Sequence, residues 1–182
     1  MIVIKIISII LLADFIAGII HWWEDAYGNP NWRYLGKSIV QPNLEHHQYP
    51  RKFLKNSFWS RVKISVISGV FICVILYTFS FINLIVWSGI MLASLGNEFH
   101  AMAHRTDNEN GKVVVALQKI GLIQSRKMHG QHHKSPYNIN YCIMTNYLNP
   151  ILNTIHFWTI LEKTISYFGI KPTRGSIERK GY

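Results

Sequence analysis

The stretch VKISVISGVFICVILYTFSFINLIVWSGIMLASLGNEFHAM, residues 62–102, decides the fold. It is about twice one membrane span, since a bilayer core about 30 Å thick takes roughly 20 apolar residues of helix. Its middle, Tyr77-Thr78-Phe79-Ser80-Phe81-Ile82-Asn83, is a polar and aromatic interruption. The pattern predicts a helical hairpin, two spans joined at that interruption. Upstream, residues 2–23 form another apolar run of span length. Trp22 and Trp23 close it, as suits a headgroup interface. The run continues past Asp14 to Ile20 without a small-x-small cleavage site, so it reads as an uncleaved first span rather than a signal peptide. The expected fold is all-α: an integral membrane helical bundle of about three transmembrane helices, with a histidine-rich cytoplasmic cap.

Downstream of the hairpin, residues 113–123 are apolar but too short to cross, which predicts an interfacial or core helix. Residues 149–170 mix apolar side chains with His156, Glu162 and Lys163. They read as an amphipathic helix on the membrane surface, with a shallow fourth span as the weaker option. Residues 1–170 are expected to form one membrane domain, and 171–182 a basic, mobile tail. No internal repeat occurs.

Apolar residues make up 49 % of the 182, and the 15 % that are charged gather in the polar stretches. That distribution argues for a membrane protein over a soluble globule. The net charge of +10 flanks the apolar runs instead of forming one stripe. A juxtamembrane collar on anionic lipid explains it better than nucleic-acid binding, so no nucleic-acid partner is expected. The hairpin tip carries no Lys or Arg. The segments before and after the hairpin carry many, so both are expected on the cytoplasmic side, with a multi-pass topology. Cys73 and Cys142 form no CxxC or CxxH spacing, against a zinc finger or disulfide scaffold. HExxH, GxSxG, Walker and GxGxxG motifs are all absent, so any redox role needs an outside electron donor.

Eight of the nine histidines sit beside apolar segments, as His21, the pair His46 and His47, His100 and His104 in HxxxH, and His129, His132 and His133 in HxxHH. Imidazole is a good ligand for iron, zinc and copper. Eight imidazoles exceed one tetrahedral ion and suit a pair of metals. By the charge argument all eight fall on one side of the bilayer. A lone HxxxH is weak and a bare HH pair has a respectable reading as a loop, whereas HxxHH brings three rings within one turn. Adjacent helical residues diverge by about 100°, so His46 and His47 could reach two different metals. Asn97 lies one turn before His100 and is a candidate supporting residue. Asp14, Gly18, His21 and Asp25 form a stripe along one face of the first span. Asp14 is either functional or a packing hydrogen-bond acceptor. Asp25, one turn from His21, is a candidate to hold the imidazole's other nitrogen and so to support catalysis. His156 has apolar neighbours and no partner histidine, so it is read as packed or interfacial, not as a ligand.

DFIAGIIHWWEDAYG (14–28), EHHQYP (45–50), NEFHAMAH (97–104) and HGQHHKSPYNINYCIMTNYLNP (129–150) together resemble the Kua/CarF lipid desaturase family, in order and spacing from residue 14 to about residue 162. That family includes plasmanylethanolamine desaturase and a plastid desaturase of phosphatidylglycerol acyl chains. Its eight-histidine pattern has a counterpart at every position, His156 lying outside it. Met128 departs from members with a further histidine there, and the polar segments are shorter than in animal members.

The resemblance implies an oxidoreductase of lipid metabolism: an O2-dependent membrane desaturase with two Fe ions, His21, His46, His47, His100, His104, His129, His132 and His133 being the metal set. It implies a vinyl-ether-forming, plasmalogen-type reaction on an alkyl ether phospholipid, or else desaturation of a phospholipid acyl chain. The electron donor would be external, such as cytochrome b5 or a ferredoxin, and a basic face would suit an acidic donor. Two rival readings use the same residues: a membrane hydroxylase on this scaffold, and a non-catalytic zinc- or haem-binding membrane module.

Overall fold

The computed structural model describes residues 2–173. Helix α1, Ile2–Tyr27, is followed by a π-helical turn at Gly36–Val40 that runs into α2, Gln41–Gln48. A 3-10 turn at Lys52–Lys55 leads to α3, Phe58–Thr78, which pairs with α4, Leu84–Ala93. Shorter helices follow: α5 (Gly96–His104), α6 (Asp107–Lys119), α7 (Arg126–His132), α8 (Leu148–Thr154) and α9 (Phe157–Tyr167). No strand occurs among the described residues.

Helices α1 and α3 are long and apolar enough to cross a membrane, yet they bury little of themselves. Ile2, Ile4, Ile6, Ile67, Phe71 and Val74 all lie exposed. The core helix of a soluble protein would hide such side chains, because each one left in water forfeits roughly 1.5–3 kcal/mol. Apolar outer faces on long helices are those of a membrane protein, whose solvent there is hydrocarbon.

The hairpin forms where the sequence predicts it. Asn83 starts α4 by accepting hydrogen bonds from the Ile85 and Val86 amides at 2.9 and 3.0 Å, which satisfies donors that the first turn leaves open. Ser57 caps α3 and Ser125 caps α7 in the same way. One feature differs from expectation. The second arm is two helices, because the chain breaks at Ser94 and Leu95 before α5 begins. Gly69 of α3 faces Ser94 so closely that a Cβ there would strike its Oγ. The hairpin is therefore tight at its base, and α5, which starts after the break, carries His100 and His104.

The expected short helix after α5 begins earlier than its apolar residues do. Thr106 and Glu109 form a capping box at its start, which the apolar pattern alone does not reveal. The expected amphipathic segment is divided between α8 and α9, because His156 adopts the left-handed conformation (φ 52°). Trp22 packs on Trp158 and donates from its indole nitrogen to Glu162 at 3.0 Å, fastening α9 to α1. Of the basic tail, the Thr173 amide donates to the Ala26 carbonyl at 2.6 Å, and residues 174–182 lie outside the described residues.

Candidate metal centre

The stripe on α1 organises the site. Residues 139–145 follow α7 as an irregular strap, buried from Asn140 to Thr145, that runs antiparallel to α1. Asp14 accepts from the Met144 amide at 2.8 Å, from the Thr145 amide at 3.1 Å and from the Thr145 hydroxyl at 2.6 Å. One helical turn on, Gly18 lets the strap approach, since a Cβ there would lie 2.8 Å from Cys142 Sγ. A further turn on, His21 Nδ1 meets the Tyr141 carbonyl at 3.2 Å. Asp25 completes the stripe, 3 % exposed, and faces imidazoles.

All eight histidines converge. Neighbouring rings among them have centroids between 4.4 and 6.4 Å apart. They divide into two groups of possible metal-holding atoms, each group lying within 4.8 Å of itself. The first group is His46, His100, His104, His129 and His133. The second is His21, Asp25, His47 and His132. Each adjacent pair is split: His46 and His133 join the first group, His47 and His132 the second. The 100° divergence of neighbouring helical residues produces that split. Helices α2 and α7 thus each serve both groups, α5 serves only the first, and α1 only the second.

The atoms fit a pair of cations. In the first group His100 Nε2 lies 2.8 Å from His129 Nε2 and 3.2 Å from His104 Nε2, and His133 Nε2 lies 3.0 Å from His129 Nε2. An imidazole nitrogen carries either one proton or one lone pair, so four mutually crowded Nε2 atoms cannot all satisfy one another. A cation among them would. Two nitrogens bound at about 2.1 Å to one metal at right angles are themselves about 3 Å apart, which is the spacing seen. In the second group His21 Nε2 and His132 Nε2 are buried without a hydrogen-bond partner, as is one Asp25 oxygen.

The ring tautomers follow from what lies behind them. His21 Nδ1 points at the Tyr141 carbonyl, and His132 Nδ1 at the Ile139 carbonyl, 2.8 Å away. A carbonyl only accepts, so both Nδ1 atoms carry the proton and both Nε2 lone pairs face the centre. His46, His129 and His133 are held below the ordinary imidazole range, chiefly by burial and then by the neighbouring rings. They are neutral at pH 7, the form that binds metal.

Asp25 differs in placement from the supporting position expected of it. Its oxygens lie 3.0 Å from His47 Nε2 and 3.2 Å from His132 Nε2, while the His21 Nδ1 expected to be its partner meets the Tyr141 carbonyl. It stands among the would-be ligands, with Asn43 donating to its Oδ1. Asp14 is in neither group and serves as a packing acceptor for the strap. Asn97 is exposed and its amide donates to the Arg61 carbonyl at 3.0 Å, so it does not support the rings. His156 is exposed at a helix break and outside both groups. Sequence reasoning missed the carbonyls of Ile139 and Tyr141, and the side chains of Gln124 and Asn149 that hold the strap. The run of asparagines at 138, 140, 146 and 149 in a stretch without periodicity was the available signal.

Helices with exposed apolar flanks and a buried cluster of imidazoles are those of a membrane protein with a candidate metal centre. A family profile described as the lipid desaturase domain matches residues 10–175, and the chain belongs to that family. It is 34 % identical to a probable fatty acid desaturase of Acanthamoeba polyphaga mimivirus, over 93 % of this chain and 85 % of that protein. It is 31 % identical to a chloroplastic fatty acid desaturase 4-like protein of Arabidopsis thaliana, over 89 % of this chain and 56 % of that one. It is 28 % identical to the plasmanylethanolamine desaturase of Myxococcus xanthus, over 92 % and 62 %. The chain thus spans little more than half the length of the plant relative. No solved structure matches. Membership makes the protein an oxidoreductase with a lipid substrate.

Proposed function

We propose that this protein is an O2-dependent di-iron desaturase of a phospholipid aliphatic chain. The observation that carries the reading is the division of nine donor side chains into two adjacent buried groups. His46, His100, His104, His129 and His133 would hold one iron, and His21, Asp25, His47 and His132 the other. Bound iron would supply activation of O2 for removal of two hydrogens from adjacent methylenes. The balanced change is –CH2–CH2– plus O2, two electrons and two protons giving –CH=CH– plus two waters. The chain's own residues present neutral nitrogens, fix two tautomers through backbone carbonyls and exclude water by burial. Phe53 packs edge-on to His46, with ring centroids 4.8 Å apart, and shields the first group.

The electrons would come from an outside carrier such as a cytochrome b5-like protein or a ferredoxin. The basic residues on the polar segments would suit an acidic donor. The positive-inside argument favours a multi-pass chain with the centre on the cytoplasmic side. Among substrates, the acyl chain of a phospholipid is favoured, because relatives named as fatty acid desaturases are the more similar ones. The alkyl ether chain, which would give a vinyl ether, is the second reading, carried by the plasmanylethanolamine desaturases of Myxococcus xanthus and Mus musculus.

The test is lipid mass spectrometry of a host expressing the protein, with and without supplied alkyl ether lipid, beside metal analysis. Loss of two hydrogens from an acyl chain and about two irons per chain support the reading. An acid-labile vinyl ether supports the second substrate. Gain of one oxygen makes the protein a hydroxylase, and one tightly held zinc without O2 consumption makes it a non-catalytic module.

A further inference from the structure

The strap at residues 139–145 touches the two ligand groups unequally. Its carbonyls at Ile139 and Tyr141 take the Nδ1 protons of His132 and His21. Both rings belong to the second group. Among the described residues, the hydrogen bonds of the first group's ring nitrogens run among those rings.

The strap has no regular structure of its own, so its backbone position is set by side chains. Asn149 is fully buried and pairs with Cys142 in both directions. Its Oδ1 accepts from the Cys142 amide at 3.0 Å, and its Nδ2 donates to the Cys142 carbonyl at 2.7 Å. Gln124 donates to the same carbonyl at 2.6 Å, and its amide to the Met144 carbonyl at 2.7 Å. Asn153 donates to Asn140 Oδ1 at 2.6 Å. Asp14 holds the far end, and the missing Cβ of Gly18 sets the distance from α1.

We propose that Asn149, with Asp14 and Gly18, acts as a set of positioning residues for one metal of the pair, fixing His21 and His132 through the strap's carbonyls and leaving the five-imidazole group unaffected. The inference rests on the two-metal reading above. Loss of Asn149 leaves the strap free to shift. The two carbonyls then no longer fix the tautomer and orientation of their rings, and outer partners of this kind are worth about 10–100-fold in metal affinity.

The experiment is anaerobic Fe(II) titration of the full chain in detergent, with Mössbauer spectra of the iron retained. The parent protein takes up iron in two steps. Asn149→Ala weakens one step about 10–100-fold and leaves the other in place. The signal it keeps is the one lost in His104→Ala. Gly18→Ala, which brings a Cβ to 2.8 Å from Cys142 Sγ, does the same more mildly, and adding Cys142→Ala restores part of the lost affinity. Equal weakening of both steps, or of neither, overturns the proposal. Should Asn149→Ala lose its helical circular dichroism, the Gly18→Ala pair decides on the same criteria. A parent chain that does not take up two irons is a different result: it removes the di-iron reading itself, and this inference with it.

Discussion

The two ligand groups differ in what stands behind their rings. The first is five imidazoles from α2, α5, α7 and the residue after α7, placed by helix packing and by burial. The second has three imidazoles and a carboxylate, and two of its rings are hydrogen-bonded to the backbone of an irregular strap. One site is therefore neutral and set by packed helices, while the other carries a negative charge and is set by directed bonds. A pair of equal metals would then meet unequal fields, since a carboxylate offsets part of a cation's charge and an imidazole does not.

The largest expected effect breaks the first group. His129 is fully buried, and its Nε2 lies 2.8 Å from that of His100 and 3.0 Å from that of His133. His129→Ala should leave less than about 1 % of desaturation and about one iron per chain, read by product analysis and metal content. Retention of both irons would show that the five rings do not act as one site.

Removing the charge from the second group is the next effect. Asp25→Asn keeps the shape and the Asn43 contact. It should weaken one iron about 10–100-fold in the same titration and spare the other. An unchanged second step would show that Asp25 neither holds nor supports that iron.

The smallest effect concerns acid. His46, His129 and His133 have folded pKa values below the unfolded value of about 6.5. Protons therefore bind the unfolded chain in preference. Stability of the metal-free protein is full above that value and falls as pH drops through it, by up to about 1.4 kcal/mol per pH unit for each ring. Thermal melts of metal-free protein between pH 7.5 and 5.5 would show it as a falling Tm, and a flat profile would mean the rings are open to water.

Much of this comparison could be read in the sequence, and some could not. HxxHH and HxxxH are local, so helical geometry alone places His129 with His133 and His100 with His104. The stripe of Asp14, Gly18, His21 and Asp25 is visible as a period, and the structure gives each member a separate task along one seam. The strap was not legible as a functional element, because irregular backbone has no period and its carbonyls are the same whatever the side chain. Asp25 could not be oriented, since facing Nε2 or Nδ1 depends on residues more than a hundred positions away, at Ile139 and Tyr141. The break at Ser94 and Leu95 carries no proline and hides inside an apolar run.

Of the 26 residues of helix α1, the apolar run 2–23 is about 33 Å long at 1.5 Å each, against a hydrocarbon layer of about 30 Å. A helix longer than its layer tilts, and the tilt changes with lipid length. His21 and Asp25 ride on that lever. With the two-metal reading, bilayer thickness and coordination geometry would be mechanically linked, the seam to the strap carrying part of the centre along as the anchor leans.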